Sequence, residues 1–394
     1  MTAPAIAIPD PRSFPDPSQA PAGAAALYAQ ADASLAADTA LRSAELDADL
    51  RSALAALLAG DGALLAATMA GAPSVAVARH LWRLLDDLGR NRDGAPDGEV
   101  AATLFALPVV IVAGVAGAAR SATLPGTLPA PDRLAALLRD GGALAGNRTF
   151  ALADALASVD AVDLPHLPRL LSWQALPEVV PGGGSLPAAH ALPPAPIALA
   201  PGVETVNLRF LVGTAIAKAG VDLCADATVG KWGIPFTQEL GRQLQPRAGA
   251  VTVLALPRAP QRLLPAVQQG RAAQREVGAA VFVGNALRSL RAAAGEPTAV
   301  ISAHRAPGAP GGGELRLSLS SPFDPRDAEG FRCPLHPLDR VGDVARMLVE
   351  LLRDCRVADV RVLAGVHAHR DPATGLRLLF KPATMPAHAE VLLH

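Results

Sequence analysis

Cysteine is scarce in this chain: Cys224, Cys333 and Cys355 are the only three, odd in number and far apart. That excludes a disulfide framework and points to a reducing compartment, so a cytoplasmic protein is expected. Aromatic residues are also sparse, at 3%, and the arginine-rich stretch 242–291 holds only Phe282, which weakens a reading as a single-stranded nucleic-acid surface because base stacking needs several. Lysine is nearly missing, with Lys218, Lys231 and Lys381 alone among 35 basic residues. Arginine, alanine, glycine and proline all have GC-rich codons, so a bacterial source with a GC-rich genome explains the bias without phosphate recognition. Net charge is absent too, at −1, which together with 51% hydrophobic residues excludes a disordered polyelectrolyte.

Motifs for the commoner chemistries are missing as well. Gly230-Lys231 is followed by Trp232 rather than Ser or Thr, so it is no phosphate-binding P-loop. The triple glycines at 182–184 and 311–313 sit in Pro-rich loops and do not open a helix after a strand, as a dinucleotide fingerprint requires. There is no G-x-S-x-G elbow and no H-E-x-x-H. The N-terminus has no basic run and is broken by proline, so no secretory signal is expected. A run of 20 uncharged residues, 100–119, contains Pro108 and a β-branched centre, Leu107–Val112. It reads as a buried strand rather than a membrane span, and no membrane partner is expected.

What is present is a chain of 394 residues, long enough for two domains. Residues 1–23 hold six prolines and read as an extended arm. Residues 24–164 read as a mainly helical domain around the buried strand. Leu46, Leu50, Leu54, Leu57 and Leu58 share one helical face, and Leu81, Leu84, Leu85 and Leu88 another, with Ser74 as N-cap of the second helix and Gly89 as its stop. Helical patterns are also expected at 131–139 and 151–159. Residues 165–202 carry nine prolines and the run Pro181-Gly-Gly-Gly-Ser185, which reads as a linker.

Residues 203–394 then read as an α/β domain. Strands are expected at 205–217, 250–256, 278–287, 298–303, 314–320, 359–366 and 376–380, with helices at 235–244, 260–275 and 338–355, the last capped by Asp339. The Gly-rich stretch 306–313 reads as a hairpin loop. Phe210–Ile216 resembles Val281–Leu287, which would fit two related β-α-β units. The fold class is therefore α+β: an N-terminal helical unit followed by a C-terminal α/β sandwich region.

Three candidate sites follow. His367 and His369 would lie on one side of a strand, and Cys333 with His336 (C-x-x-H) could add ligands for Zn²⁺, with Asp371 behind them. Asp222, Cys224 and Asp226 alternate, with Lys231 close by, and would suit a nucleophilic thiol if the lysine lowered its pKa. Residues 242–291 hold eight arginines and one acid, whereas residues 1–100 hold thirteen acids and seven arginines. Arg258 with Arg262, and Arg271 with Arg275, would each share one face wherever the segment is helical, and such a face could bind a small anion. Trp173 and Trp232 are read as core residues before pocket residues.

Three functions stay open on this basis. The first is non-catalytic binding of a protein partner or a small anion, with self-association included. The second is a metal-dependent hydrolase built on the His-x-His site. The third is a nucleic-acid-associated protein using the arginine-rich 242–291 segment.

Overall fold

The computed structural model describes residues 8, 10–12, 20–91, 100–116, 121–144, 149–175, 184–185, 190–218, 229–245, 251–292, 296–305, 312–321 and 329–367. The fold is α+β, with helices leading at the N-terminus and antiparallel or mixed sheets following. Two compact units divide the chain, and they interleave in sequence. One comprises Met1–Ser43, Thr68–Trp82 and Arg275–His394; the other comprises Ala44–Ala67 and Arg83–Gln274. No helix among the described residues is long and apolar enough to cross a membrane.

The second unit is organised by β1 (Val100–Val115), the apolar run expected to be a buried strand. It pairs antiparallel with β6 (Glu204–Lys218) in an unbroken register from Val100↔Lys218 to Gly114↔Glu204. Around this pair lie β3 (Phe150–Ala157), β4 (Gly184–Ser185) and β7 (Val251–Pro257), in the order β4-β3-β6-β1-β7, and β8 (Gln261–Arg262) also pairs with β1. A short β2–β5 ribbon (Ala122–Leu124 with Ile197–Leu199) completes the strands of this unit. Strands β1 and β3 precede residues 165–202, and β6 and β7 follow them, so the one sheet draws on both sides of that Pro-rich stretch. Pro108 does not end β1, for a simple reason. Arg258 N–H donates to its carbonyl (2.8 Å), so the donor that proline lacks would have faced the far end of β7, where that ladder stops.

Both faces of β1 are buried, which is why its sequence is continuously apolar rather than alternating. Phe105, Leu107, Val109 and Ile111 pack with Leu134 and Leu138 of α5 (Pro131–Asp140) and with Trp232, Phe236 and Leu240 of α7 (Val229–Leu244). On the other face runs α8 (Leu263–Ala292), where Gly270 comes close to Pro108, Leu208 and Phe210; a methyl there would meet them at 2.9–3.1 Å. Helices α2 (Ala40–Gly60), α3 (Gly62–Ala70) and α4 (Val75–Asn91) form the helical front part of the chain. Leu50, Leu54 and Leu58 are buried as their spacing predicts, and Ser74 caps α4 by accepting from Val77 N–H at 3.1 Å. The helix runs past Gly89 to Asn91.

The first unit holds a four-stranded sheet in the order β11-β10-β9-β12: β9 (Thr298–Arg305), β10 (Gly313–Ser320), β11 (Glu329–Leu335) and β12 (Asp359–His367). The strands on either side of the expected hairpin loop, β9 and β10, are antiparallel neighbours. Strand β12 returns parallel to β9 after α9 (Val341–Asp354), whose Val344, Ala345, Leu348 and Leu352 cover Ile301, Leu315, Leu317 and Leu319. In the same unit α1 (Ala24–Leu35) is tied down by Tyr28 Oη, which donates to Thr68 O at 2.7 Å.

Several expectations fail. Residues 151–159 form strand, not helix: β3 is buried on both faces between β4 and β6, and an Ala-rich run has no periodicity to resist that pairing. Residues 278–287 are helical within α8, because Ala279, Val283, Ala286, Leu287 and Leu290 form a stripe at helical spacing that outweighs the β-branched Val281-Phe-Val283. The 210–216 and 281–287 segments therefore lie in strand and helix respectively, and they do not mark a repeated β-α-β unit. Asp339 does not cap α9; Arg340 occupies that position with no side-chain cap. Arg258 follows β7 and Arg262 ends β8, and α8 begins at Leu263, so the condition of a shared helix is not met for this pair. The expected strand at 376–380 lies outside the described residues.

Gly213 in β6 sits where a methyl would meet Phe105 Cζ at 2.5 Å and Ala151 O at 2.6 Å, whereas Gly284 in α8 has nothing within 4 Å. Gly213→Ala should therefore cost about 1–3 kcal/mol. Gly284→Ala should stabilise the chain by up to about 1 kcal/mol. Urea midpoints at unchanged slope would read both.

Candidate functional site

In the second unit the exposed chemistry concentrates at the outer edge of β7. This strand pairs only with β1 among the described residues. The bond from Arg258 N–H to Pro108 O sets the phase of the ladder, so the main-chain groups of Thr252, Leu254 and Leu256 face β1. Those of Val251, Val253 and Ala255 point the other way, outward from the sheet. The sequence Val-Thr-Val-Leu-Ala-Leu-Pro carries no charge, and Leu254 is 49% exposed. A groove of about 530 Å³ lies between this strand and α7. Gly230 and Gly233 give it depth, Ile234 (68% exposed) and Leu256 give it an apolar lining, and Gln238 and Arg258 stand at its polar rim.

In the first unit the polar chemistry converges on the loop between β11 and α9. Asp339 accepts two hydrogen bonds from the Arg275 guanidinium, one of them at 2.8 Å, and a third from His336 N–H at 2.6 Å. Arg79 donates to Pro337 O (3.3 Å) and Asp339 O (2.7 Å), and Arg12 donates to His336 O (2.9 Å), Pro337 O (3.1 Å) and Asp339 O (3.3 Å). The His336 ring stands edge-on to Trp82, centroids 4.9 Å apart, and its Nδ1 accepts from Leu338 N–H at 3.3 Å. Burial would raise the Asp339 carboxyl, but the hydrogen bonds and charge of Arg275 outweigh it and hold the carboxyl below its ordinary value.

A second polar group in that unit was not anticipated. On the face of the small sheet opposite its apolar core, Ser302 Oγ lies 2.8 Å from His304 Nε2. Glu314, opposite His304 in the β9–β10 register, accepts from Arg316 Nε (2.7 Å) and Arg332 Nε (2.8 Å). Glu314, Arg316, Ser302 and His304 are all buried, and both Glu314 oxygens already accept from guanidinium groups. This arrangement neutralises charge inside the fold. The strict alternation in Gly-Glu-Leu-Arg-Leu-Ser-Leu-Ser was the available signal, because it sends every second residue to the same face.

The residues singled out from sequence are distributed as follows. Cys333 belongs to the apolar core of the small sheet, and burial pushes its thiol up to about 12. His336 belongs to the Asp339 loop. His369, Asp371 and the side chain of His367 lie outside the described residues, and among the described residues no group of three or more His, Cys, Asp or Glu is placed to hold a metal ion. Arg271 lies 3.5 Å from Asp163, Arg275 is committed to Asp339, and Arg258 lines the β7 groove. Arg262 lines a separate apolar pocket with Leu58, Leu85 and Leu104. Asp222, Cys224 and Asp226 lie outside the described residues; Lys231 is exposed on α7. Trp173 and Trp232 are buried, as core residues should be.

A carboxyl held below its ordinary value stabilises the fold above that value and loses this contribution as pH falls through the lowered one. Asp339→Asn, which breaks a mostly buried pair, should cost about 3 kcal/mol at pH 7. The difference from wild type should shrink as pH drops below 3.8, the ordinary value of this carboxyl, and urea unfolding across that range would measure it. Compared with known proteins, the chain has no match among family models, curated proteins or solved structures.

Proposed function

We propose that this chain is a non-catalytic binding protein that acts through protein–protein association at the outer edge of β7, with a second copy of itself as the occupant. The observation that carries the reading is the uncharged strand Val251–Pro257, whose only strand partner among the described residues is β1 and whose Leu254 is exposed. Edge strands of this kind template further pairing unless charge, proline or a bulge blocks them. Here the outward-facing main-chain groups belong to Val251, Val253 and Ala255, a set symmetric about Val253. Two antiparallel copies centred on Val253 would match Val251 with Ala255 of the partner and satisfy every outward donor and acceptor between them. Pro257, which has no N–H to offer, falls outside that paired window. Leu254 and Thr252 would then meet across the two-fold axis, and Ile234 would flank the joined strands.

The arginines support this reading over a nucleic-acid surface, because Arg271 and Arg275 are already engaged by Asp163 and Asp339. Catalysis has little support, because the Ser302–His304 pair is buried and the Cys333 thiol is pushed far above neutrality.

Sedimentation velocity over a concentration series is the direct test. Wild type should dimerise in the micromolar range typical of modest interfaces. Val253→Pro removes an outward donor and should shift the dissociation constant by at least about tenfold. Leu254→Lys, at an exposed position that leaves the core intact, should do the same through charge repulsion. A wild type that stays monomeric at about 100 times that concentration, or variants that dimerise equally well, would overturn the proposal.

A further inference from the structure

Composition marks residues 1–23 as an extended arm, yet Ile8, Pro11 and Arg12 are docked. Ile8 packs against the apolar core of the small sheet. Pro11 and Arg12 lie so close to Gly313 that a methyl there would come within 2.8–3.0 Å of both. The Arg12 side chain is 2% exposed, and it has four partners: the Asp10 carboxylate and the carbonyls of His336, Pro337 and Asp339. A buried guanidinium is tolerated only with such full pairing, and here the protein supplies it from main-chain oxygens that converge on one point. Arg79 and Arg275 brace the same loop from their own positions, through Pro337 O, Asp339 O and the Asp339 carboxylate. All of these residues belong to one unit.

We infer that this is a peptide-recognition site, which takes a segment bearing an apolar residue, one further residue and then Asp-Pro-Arg, and that its resident ligand is the chain's own arm. The parts match a peptide complex. Ile8 is the apolar anchor, Asp10 folds back onto Arg12 Nε (2.8 Å) and presets the guanidinium, and Pro11 stiffens the backbone between them. Specificity lies in the carbonyl cluster, since three acceptors in fixed positions suit a planar guanidinium better than an ammonium. Gly313 is the complementary feature on the receiving side, because any side chain there would occupy the space of Pro11 and Arg12. A tethered ligand experiences an effective concentration of about 1 mM, so even a weak intrinsic affinity keeps it seated.

The test separates the arm from the body while leaving the rest of the full chain intact. A specific protease site is inserted between residues 13 and 19, the purified protein is cut, and the products are passed over a gel-filtration column. The wild-type arm should co-elute with the body, and the Arg12→Ala arm should separate from it. A fluorescein-labelled synthetic peptide of residues 6–14 should bind saturably to the body from which the Arg12→Ala arm has separated, and the same peptide with Arg12→Ala or Arg12→Lys should bind at least about tenfold more weakly. Because these substitutions are in the peptide, the folding of the body is not affected. An arm that leaves the cut wild type at once, no saturable peptide binding below about 1 mM, or equal binding of the Arg12→Ala peptide would overturn the inference.

Discussion

The fifteen-residue antiparallel register between Val100–Gly114 and Glu204–Lys218 is the constraint from which the rest of the large-sheet unit follows. A strand as apolar as β1 cannot lie at a surface, so it must be flanked on both sides and covered on both faces. Strand β6 covers one flank along its whole length. The other flank is shared by two short pieces, β7 opposite Val109–Val115 and β8 opposite Phe105–Ala106, with Pro108 at the gap between them. This division leaves a short outer edge of seven residues rather than a long one. It also places that edge beside α7, whose Trp232, Phe236 and Leu240 are already spent on the core and whose Ile234 is not.

The small-sheet unit is ruled by polar geometry as much as by apolar burial. Its core is an ordinary alternation, with Leu315, Leu317 and Leu319 facing the helices. The turn into α9, however, is shaped by one carboxylate. Asp339 is drawn away from the capping role by Arg275 and by His336 N–H, and in that position it fixes the loop whose carbonyls receive Arg79 and Arg12. A capping bond is worth about 1 kcal/mol, whereas charge-assisted bonds of a mostly buried pair are each worth more, so the competition resolves toward the arginine. The cost is an uncapped first turn at Arg340.

Periodicity made the long helices and most strands legible: the leucines of α2 and α4, the stripe of α9, the alternation of β10 and the apolar run of β1 were all readable from residue spacing. Legibility ended where alanine dominates. Ala151–Ala157 offers no contrast between faces, so pairing with β6 decides its state. In Val281-Phe-Val-Gly-Asn-Ala-Leu287 the β-branched residues suggested a strand, but the helical spacing extends well beyond that window in both directions. The site residues were legible one at a time and not as groups. Cys333 and His336 are three apart, yet one faces an apolar core and the other a polar loop, because the strand ends between them. Nothing local could have linked Arg12 to residues 336–339, since that contact spans more than 320 positions.

The buried network on β9 and β10 shows why a fold this dependent on small apolar residues retains charges inside it. Replacing a buried Glu–Arg group with apolar side chains is often neutral or stabilising, so net stability is a poor account of Glu314, Arg316 and Arg332. Register gives a better one. The opposite face of β10 is uniform leucine, and Leu315, Leu317 and Leu319 would pack nearly as well if the strand slid by two residues. The polar face does not allow this, because Glu314 must meet Arg332 on β11 and lie opposite His304 on β9. A two-residue slip would carry Glu314 and Arg316 along together, but it would take Glu314 from its place opposite His304 and change its alignment with Arg332, a mismatch that the leucine contacts alone would not register. In an alanine-rich chain with few aromatics to key the packing, such a network supplies the discrimination that side-chain shape does not.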